Sequence, residues 1–173
     1  MKEILTISIP ALLVLLTVYI LIDKFLREAE NNRKQELQKM NLSVLTPIRL
    51  RAYERLALVL ERTVPNSLIV SIVTPEMTSG ELQQLLVENI RKEFAHNVSQ
   101  QIYVSDELWS AVKLAQETLI RLINTCAAKS EADSKASELA ALIIQVYSST
   151  GESPAEIAMG LLKNEVRDFA GIK

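Results

Sequence analysis

ILTISIPALLVLLTVYILI, residues 4–22, runs for 19 positions without a charged side chain. At about 1.5 Å of rise per residue, a helix of that length reaches roughly 28 Å, close to the roughly 30 Å hydrocarbon core of a bilayer. A helix apolar on every face is hard to bury inside a chain of 173 residues, so the stretch predicts a transmembrane helix rather than a core helix. A cleaved leader would want a basic start, a shorter apolar run and small residues at a cleavage site. The run instead begins after Lys2-Glu3 and exits into Tyr19-Ile20-Leu21-Ile22-Asp23-Lys24, so an uncleaved anchor is expected over 1–22. Pro10 removes one backbone donor inside it and predicts a kink.

Outward from the anchor, Lys24, Arg27, Arg33, Lys34 and Lys39 follow its C-terminal end, against Lys2 and the terminal amine before it. Basic residues near a span resist translocation, which predicts an N-terminus outside and a body in the cytoplasm. Residues 23–46 read as a polar helical stalk and linker. The stretch DKFLREAENNRKQELQKM (23–40) is polar nearly all round and supplies too few apolar a and d positions for a long coiled coil. Residues 41–46 read as a break, with Thr46 capping and Pro47 opening the next helix.

Composition bounds the remainder, 47–173. Hydrophobic residues make up 49% of the chain and aromatics only 5%, so the apolar mass is Leu, Ile, Val and Ala, a helix-favouring mixture. Four Gly and five Pro leave few turn positions for a sandwich or a doubly wound sheet, and no phosphate-binding glycine string occurs. The expected class is all-α: a transmembrane helix, a short stalk and a small cytoplasmic helical bundle. Apolar faces and caps recur as the punctuation of a bundle. Residues 47–62 carry Ile48, Ala52, Leu56, Val59 and Leu60 on one face; 66–73 is short and apolar, helix or strand. Thr78 and Glu81 have capping-box spacing before Leu82, Leu85, Leu86, Ile90 and Phe94. Further helices are expected to open at Ser105, at 130–133 and at Ser153.

Two strings, TPIRLRAYERLALVLERTVPNSLI (46–69) and EFAHNVSQQIYVSDELWSAVKLAQ (93–116), resemble a family of small single-pass bacterial membrane proteins with no assigned function. The resemblance runs from the anchor to about residue 124. It implies an inner-membrane anchor with a helical cytoplasmic body and lends no catalytic residue.

Chemistry-bearing residues are sparse. Glu93 and His96 stand at the i, i+3 spacing used by carboxylate-bridged metal sites in bundles. That chemistry needs a second such pair, and His96 is the single histidine. The residues His96, Asn97, Gln100 and Gln101 are instead expected to satisfy backbone groups at a helix end. Cys126 lacks a nucleophile elbow or an oxyanion turn around it. Neither a cofactor nor a metal is expected, and the chain reads as non-catalytic.

Charge is nearly balanced, 19 Lys and Arg against 21 Asp and Glu, so no nucleic-acid partner is expected. Locally, residues 23–62 hold nine basic and six acidic residues, a net of +3, whereas 63–173 hold nine and 14, a net of −5. Arg49, Arg51 and Arg55 make the first cytoplasmic helix basic, able either to lean on anionic headgroups or to pair with Glu54 and Glu61. Trp109 is expected in the core. The interaction surface is expected around Glu93, His96, Asn97, Gln100, Gln101, Tyr103 and Trp109 together with Arg49, Arg51 and Arg55. The function expected is a membrane-tethered interaction module whose partners are the lipid bilayer and a protein, either a different one or a second copy. A bundle holding a lipid or small apolar ligand is the alternative.

Overall fold

The computed structural model describes residues 2–149 and 151–171, with side chains from Leu15 onward except those of Gln38 and Asn41. Among the described residues the chain is all-α, with six helices and one 3-10 segment: α1 (Lys2–Arg62), α2 (Pro65–Ile72), α3 (Ser79–His96), the 3-10 segment Val98–Ile102, α4 (Asp106–Ala127), α5 (Ala136–Ser149) and α6 (Pro154–Ala170). It divides into two units, Met1–Pro47 and Ile48–Lys173.

The first unit is helical throughout its described length, and this corrects the expected break at 41–46. The Ser and Thr of that stretch, like its Asn, cost only a few tenths of a kcal/mol each in a helix, too little to stop one by themselves. Ser43 also donates to the Met40 carbonyl at 2.7 Å, a bond made within the helix. Pro47 therefore lies inside α1 rather than opening a helix; lacking an N–H, it leaves the Ser43 carbonyl without its intrahelical donor, and the boundary between the units falls just after it. Of the apolar run 4–22, residues 4–14 lie outside the described side chains. The remaining eight positions fall short of the roughly 20 a span requires, and among the described residues no helix is long and apolar enough to cross a membrane.

In the second unit, α4 packs on α3, α5 and α6, while α2 and α3 pack against each other and each against α5. The core is assembled from Ala52, Leu56, Val59 and Leu60 of α1, from Leu82, Leu86, Ile90 and Phe94 of α3, and from Leu108, Val112 and Ile123 of α4. Leu139 and Ile143 of α5 with Ala158 and Leu162 of α6 complete it. The apolar faces read from spacing are thus the buried ones, with some peripheral members left out: Ile48 and Leu85 stay exposed. The apolar segment 66–73 is helical, opened by Pro65 at its first position.

The expected capping box at Thr78 forms, and the structure shows a second at Ser153. Thr78 Oγ1 accepts from the Glu81 N–H at 3.3 Å while Glu81 accepts from the Thr78 N–H at 2.9 Å; Ser153 and Glu156 repeat the exchange at 3.2 and 2.7 Å. The expected start of α5 at 130–133 is corrected to Ala136. Residues 132–136 instead run beside the entry to α3, where Ser79 N–H donates to the Ser134 carbonyl (2.8 Å), Gly80 N–H to Ala132 (3.0 Å) and Ala136 N–H to Met77 (3.0 Å). The chains approach so closely that a Cβ at Gly80 would meet the Ala132 oxygen at 3.4 Å. Tertiary backbone pairing has here outcompeted a serviceable local cap.

Candidate functional site

The polar groups of the bundle converge on Glu165. Its side chain is anchored on α6 between Leu162 and Phe169, and only 17% of it is exposed. Arg49 of α1 donates through Nη2 to Glu165 Oε1 at 3.3 Å and to the Tyr53 hydroxyl at 2.7 Å; its Nε donates to the Tyr103 carbonyl at 3.0 Å. The Tyr53 hydroxyl donates its own hydrogen bond to Glu165 Oε1 at 3.1 Å. From the other side, the Ser105 N–H donates to Oε1 and Oε2 at 3.1 and 3.3 Å, and the Ser105 hydroxyl donates to Oε2.

Ser105 is also the N-cap of α4, its Oγ accepting from the Leu108 N–H at 3.2 Å. The carboxylate therefore sits where the dipole of α4 favours negative charge. Aromatic rings close the cluster: the Arg49 guanidinium carbon lies 4.5 Å from the Phe169 ring centre and 5.6 Å from that of Tyr53, and the two rings meet edge to face at 6.2 Å. Tyr53 is 3% exposed. Burial raises its phenol above the ordinary tyrosine value, the Glu165 carboxylate adds to the rise, and Arg49 opposes it. Charge-assisted bonds of this kind are the strong class. The arrangement ties the second-unit end of α1, the connection before α4 and the last helix into one clamp, and every oxygen of Glu165 is engaged in it.

The predicted residues fall into three groups. Arg49 and the Tyr103 carbonyl belong to the clamp. Asn97 caps α3 by donating from Nδ2 to the Glu93 carbonyl at 2.8 Å, and that helix ends at His96. The Gln100 side-chain amide donates to the Ser99 hydroxyl at 3.1 Å. Arg51, Arg55, His96 and Gln101 are exposed. Among the described residues Arg51 and Arg55 make no ion pair, so the pairing considered with Glu54 and Glu61 is not formed. Trp109 is half-buried and packs on the rim of the core rather than within it. Glu93 and His96 gain no further ligand: among the described residues no group of three His, Cys, Asp or Glu is placed to hold a metal. Burial raises the Cys126 thiol above its ordinary value, which suppresses the thiolate needed for nucleophilic chemistry.

Sequence reasoning missed Glu165, Tyr53, Ser105 and Phe169 as members of one cluster. One signal was available: Glu165 falls inside the apolar stripe Ala158, Leu162, Val166, Phe169, and a charge on a core-facing stripe is the informative kind of polar residue.

Hollow space is distributed outside the core. A small, partly open cavity of about 40 Å³, bordered by Thr63, Thr118, Tyr147 and Ser153, has room for a water molecule or two. Two open grooves of about 490 and 450 Å³ lie along the seam between the second-unit part of α1 and α6, and both are lined by Met159 and Lys163.

Comparison with known proteins places the chain in a family. The model of a family of unknown function, DUF7935, matches residues 1–169, and the chain belongs to that family. No curated protein and no solved structure matches it.

Proposed function

We propose that this chain is a membrane-tethered, non-catalytic interaction module, an adaptor or assembly subunit held at the cytoplasmic face of a bacterial inner membrane by residues 4–22. The observation that carries the reading is the state of the described part of the apolar run. Leu15, Leu16, Val18, Tyr19, Ile20, Leu21 and Ile22 are 46–71% exposed among the described residues. They span two helical turns and face every direction, and an exposed apolar surface of this kind is stable when lipid or protein surrounds it. The 19-residue uncharged run and the basic residues that follow it supply the length and the orientation.

Docking on the outside of the bundle is favoured over a ligand held within it. The small cavity of about 40 Å³ is far below the roughly 300–1,000 Å³ of small-molecule sites, and the hollows that reach that size are open grooves on the outside of the bundle. Unpaired exposed charge, including Arg51 and Arg55, is available to a partner.

Fusion of alkaline phosphatase, active only outside the cytoplasm, to the C-terminus tests the tether. The fusion is expected to sediment with membranes, resist carbonate extraction and be inactive. A soluble fusion refutes the anchor, and an active one refutes the orientation. Purification in mild detergent with the anchor intact then tests the role: a stoichiometric protein partner is expected, and stoichiometric lipid without protein would favour the ligand-holding alternative.

A further inference from the structure

The two open grooves along the α1–α6 seam share Met159 and Lys163 and so form one trough. Its floor is apolar along the groove lined by Ala57, Met159 and Val166 and mixed polar and apolar along the groove lined by Asn66, Tyr147 and Gly160. Its banks carry opposite charges. Glu54 and Glu61 stand on the α1 side, two helical turns or roughly 10 Å apart, and Lys163 and Arg167 stand on the α6 side, one turn apart. All four are exposed, and among the described residues none makes an ion pair or a side-chain hydrogen bond. Opposite charges that face each other across a trough without meeting leave both rows free for something lying between them. Glu156 also borders the trough, but it is engaged in capping α6 through the Ser153 N–H.

Gly160 is the second observation. It lies within α6 on the trough, exposed, and a Cβ there would meet nothing within 4 Å. Glycine in a helix interior costs about 0.5–1 kcal/mol relative to alanine, and among the described residues no contact requires it. Its absent side chain opens the wall of the trough to close approach by another backbone.

We propose that this trough receives an amphipathic helix of a protein partner, one whose apolar stripe lies on Ala57, Met159 and Gly160 and whose two flanks bear opposite charges. Basic residues on one flank meet Glu54 and Glu61, and acidic residues on the other meet Lys163 and Arg167. Helix-in-groove recognition supplies affinity from the apolar stripe. The charged banks supply direction, since turning the incoming helix end to end brings like charges together on both sides. This inference rests on the docking function proposed above and names its surface.

The test uses the full chain in detergent micelles and three labelled synthetic helices of about 18 residues sharing one leucine stripe, followed by fluorescence anisotropy. One helix carries Lys on one flank and Glu on the other, the second Glu on both, the third Lys on both. The mixed helix is expected to bind best, by at least about fivefold. In Glu54→Lys/Glu61→Lys both banks become basic, and preference is expected to pass to the all-Glu helix. Gly160→Leu, at a position with no neighbour to clash with, is expected to weaken the mixed helix about tenfold without loss of helicity by circular dichroism. Equal binding of the three helices, no change of preference in the double variant, or full affinity in Gly160→Leu each overturns the proposal. A membrane-bound chain that recovers a stoichiometric partner yet fails these titrations overturns the trough alone, whereas failure of the docking function shows in fractionation and partner recovery.

Discussion

Replacing Glu165 by alanine removes the centre of the clamp, and its cost can be worked contact by contact. Tyr53 is the expensive partner. Its hydroxyl is buried, still accepts from Arg49, and would lose the acceptor for its own proton, a penalty of about 1–3 kcal/mol. The Arg49–Glu165 pair contributes at most about 1 kcal/mol, because the arginine side chain is 34% exposed and keeps the Tyr103 carbonyl. The Ser105 bonds lie in an exposed connection where water can replace them, which leaves about 0.5–1 kcal/mol between them. Glu165→Ala is therefore expected to destabilise the bundle by about 2–4 kcal/mol, and Glu165→Gln, which keeps one acceptor but turns an amide donor toward Ser105, by about 1–2 kcal/mol. Urea unfolding followed by Trp109 fluorescence and by circular dichroism measures both. A double-mutant cycle of Tyr53→Phe with Glu165→Gln is expected to give a coupling of about 0.5–1.5 kcal/mol. If Glu165→Ala unfolds within about 0.5 kcal/mol of the wild type and the cycle shows no coupling, the clamp is a surface arrangement and not a determinant of the fold.

Backbone N–H groups of Thr78 and Ser153 hold the carboxyls of Glu81 and Glu156 below their ordinary value of 4.5, so both caps contribute above that pH and are lost as pH falls through the lower folded values; Glu81→Gln/Glu156→Gln is expected to flatten the acid limb of a stability–pH curve. The raised Tyr53 phenol acts oppositely: its contribution is full below pH 10.0 and is lost as pH rises through the folded value, so Tyr53→Phe is expected to remove part of the alkaline loss. Gly160→Ala should raise the unfolding midpoint by the equivalent of about 0.5–1 kcal/mol, and an unchanged or lower midpoint would show that the glycine serves the fold itself. His96→Gln, at an exposed position, should change stability by less than about 0.5 kcal/mol, and a larger loss in urea titration would assign His96 a structural role.

Local signals in this sequence proved readable where the competing forces were also local. The boxes at Thr78 and Ser153 form because both halves lie within one turn, and the faces Leu82–Leu86–Ile90 and Ala52–Leu56–Val59 are buried because 3.6-residue spacing fixes a common side whatever the neighbours are. Reading failed where a distant segment set the outcome. Residues 130–133 have the composition of a helix start, but three backbone hydrogen bonds join 132–136 to 77–80, more than 50 positions away, and the chain turns there, with Ser134 N–H donating to the Glu131 carbonyl, so that α5 begins only at Ala136. Pro47 misled for the opposite reason: a proline signals a boundary, and here a unit boundary falls beside it while the helix runs on. The clamp lay out of reach of spacing altogether. Arg49 and Tyr53 are one turn apart and could be paired by inspection, yet their common acceptor is 116 and 112 residues downstream, and nothing near Glu165 names its partners. What the sequence did carry was a misfit, one carboxylate within an otherwise apolar stripe of the last helix. Desolvating an unpaired carboxylate costs too much for such a residue to stay on a core face without donors, so the misfit alone required a donor cluster somewhere in the bundle. Arginine 49, on a helix whose other arginines face solvent, was the cation able to supply one.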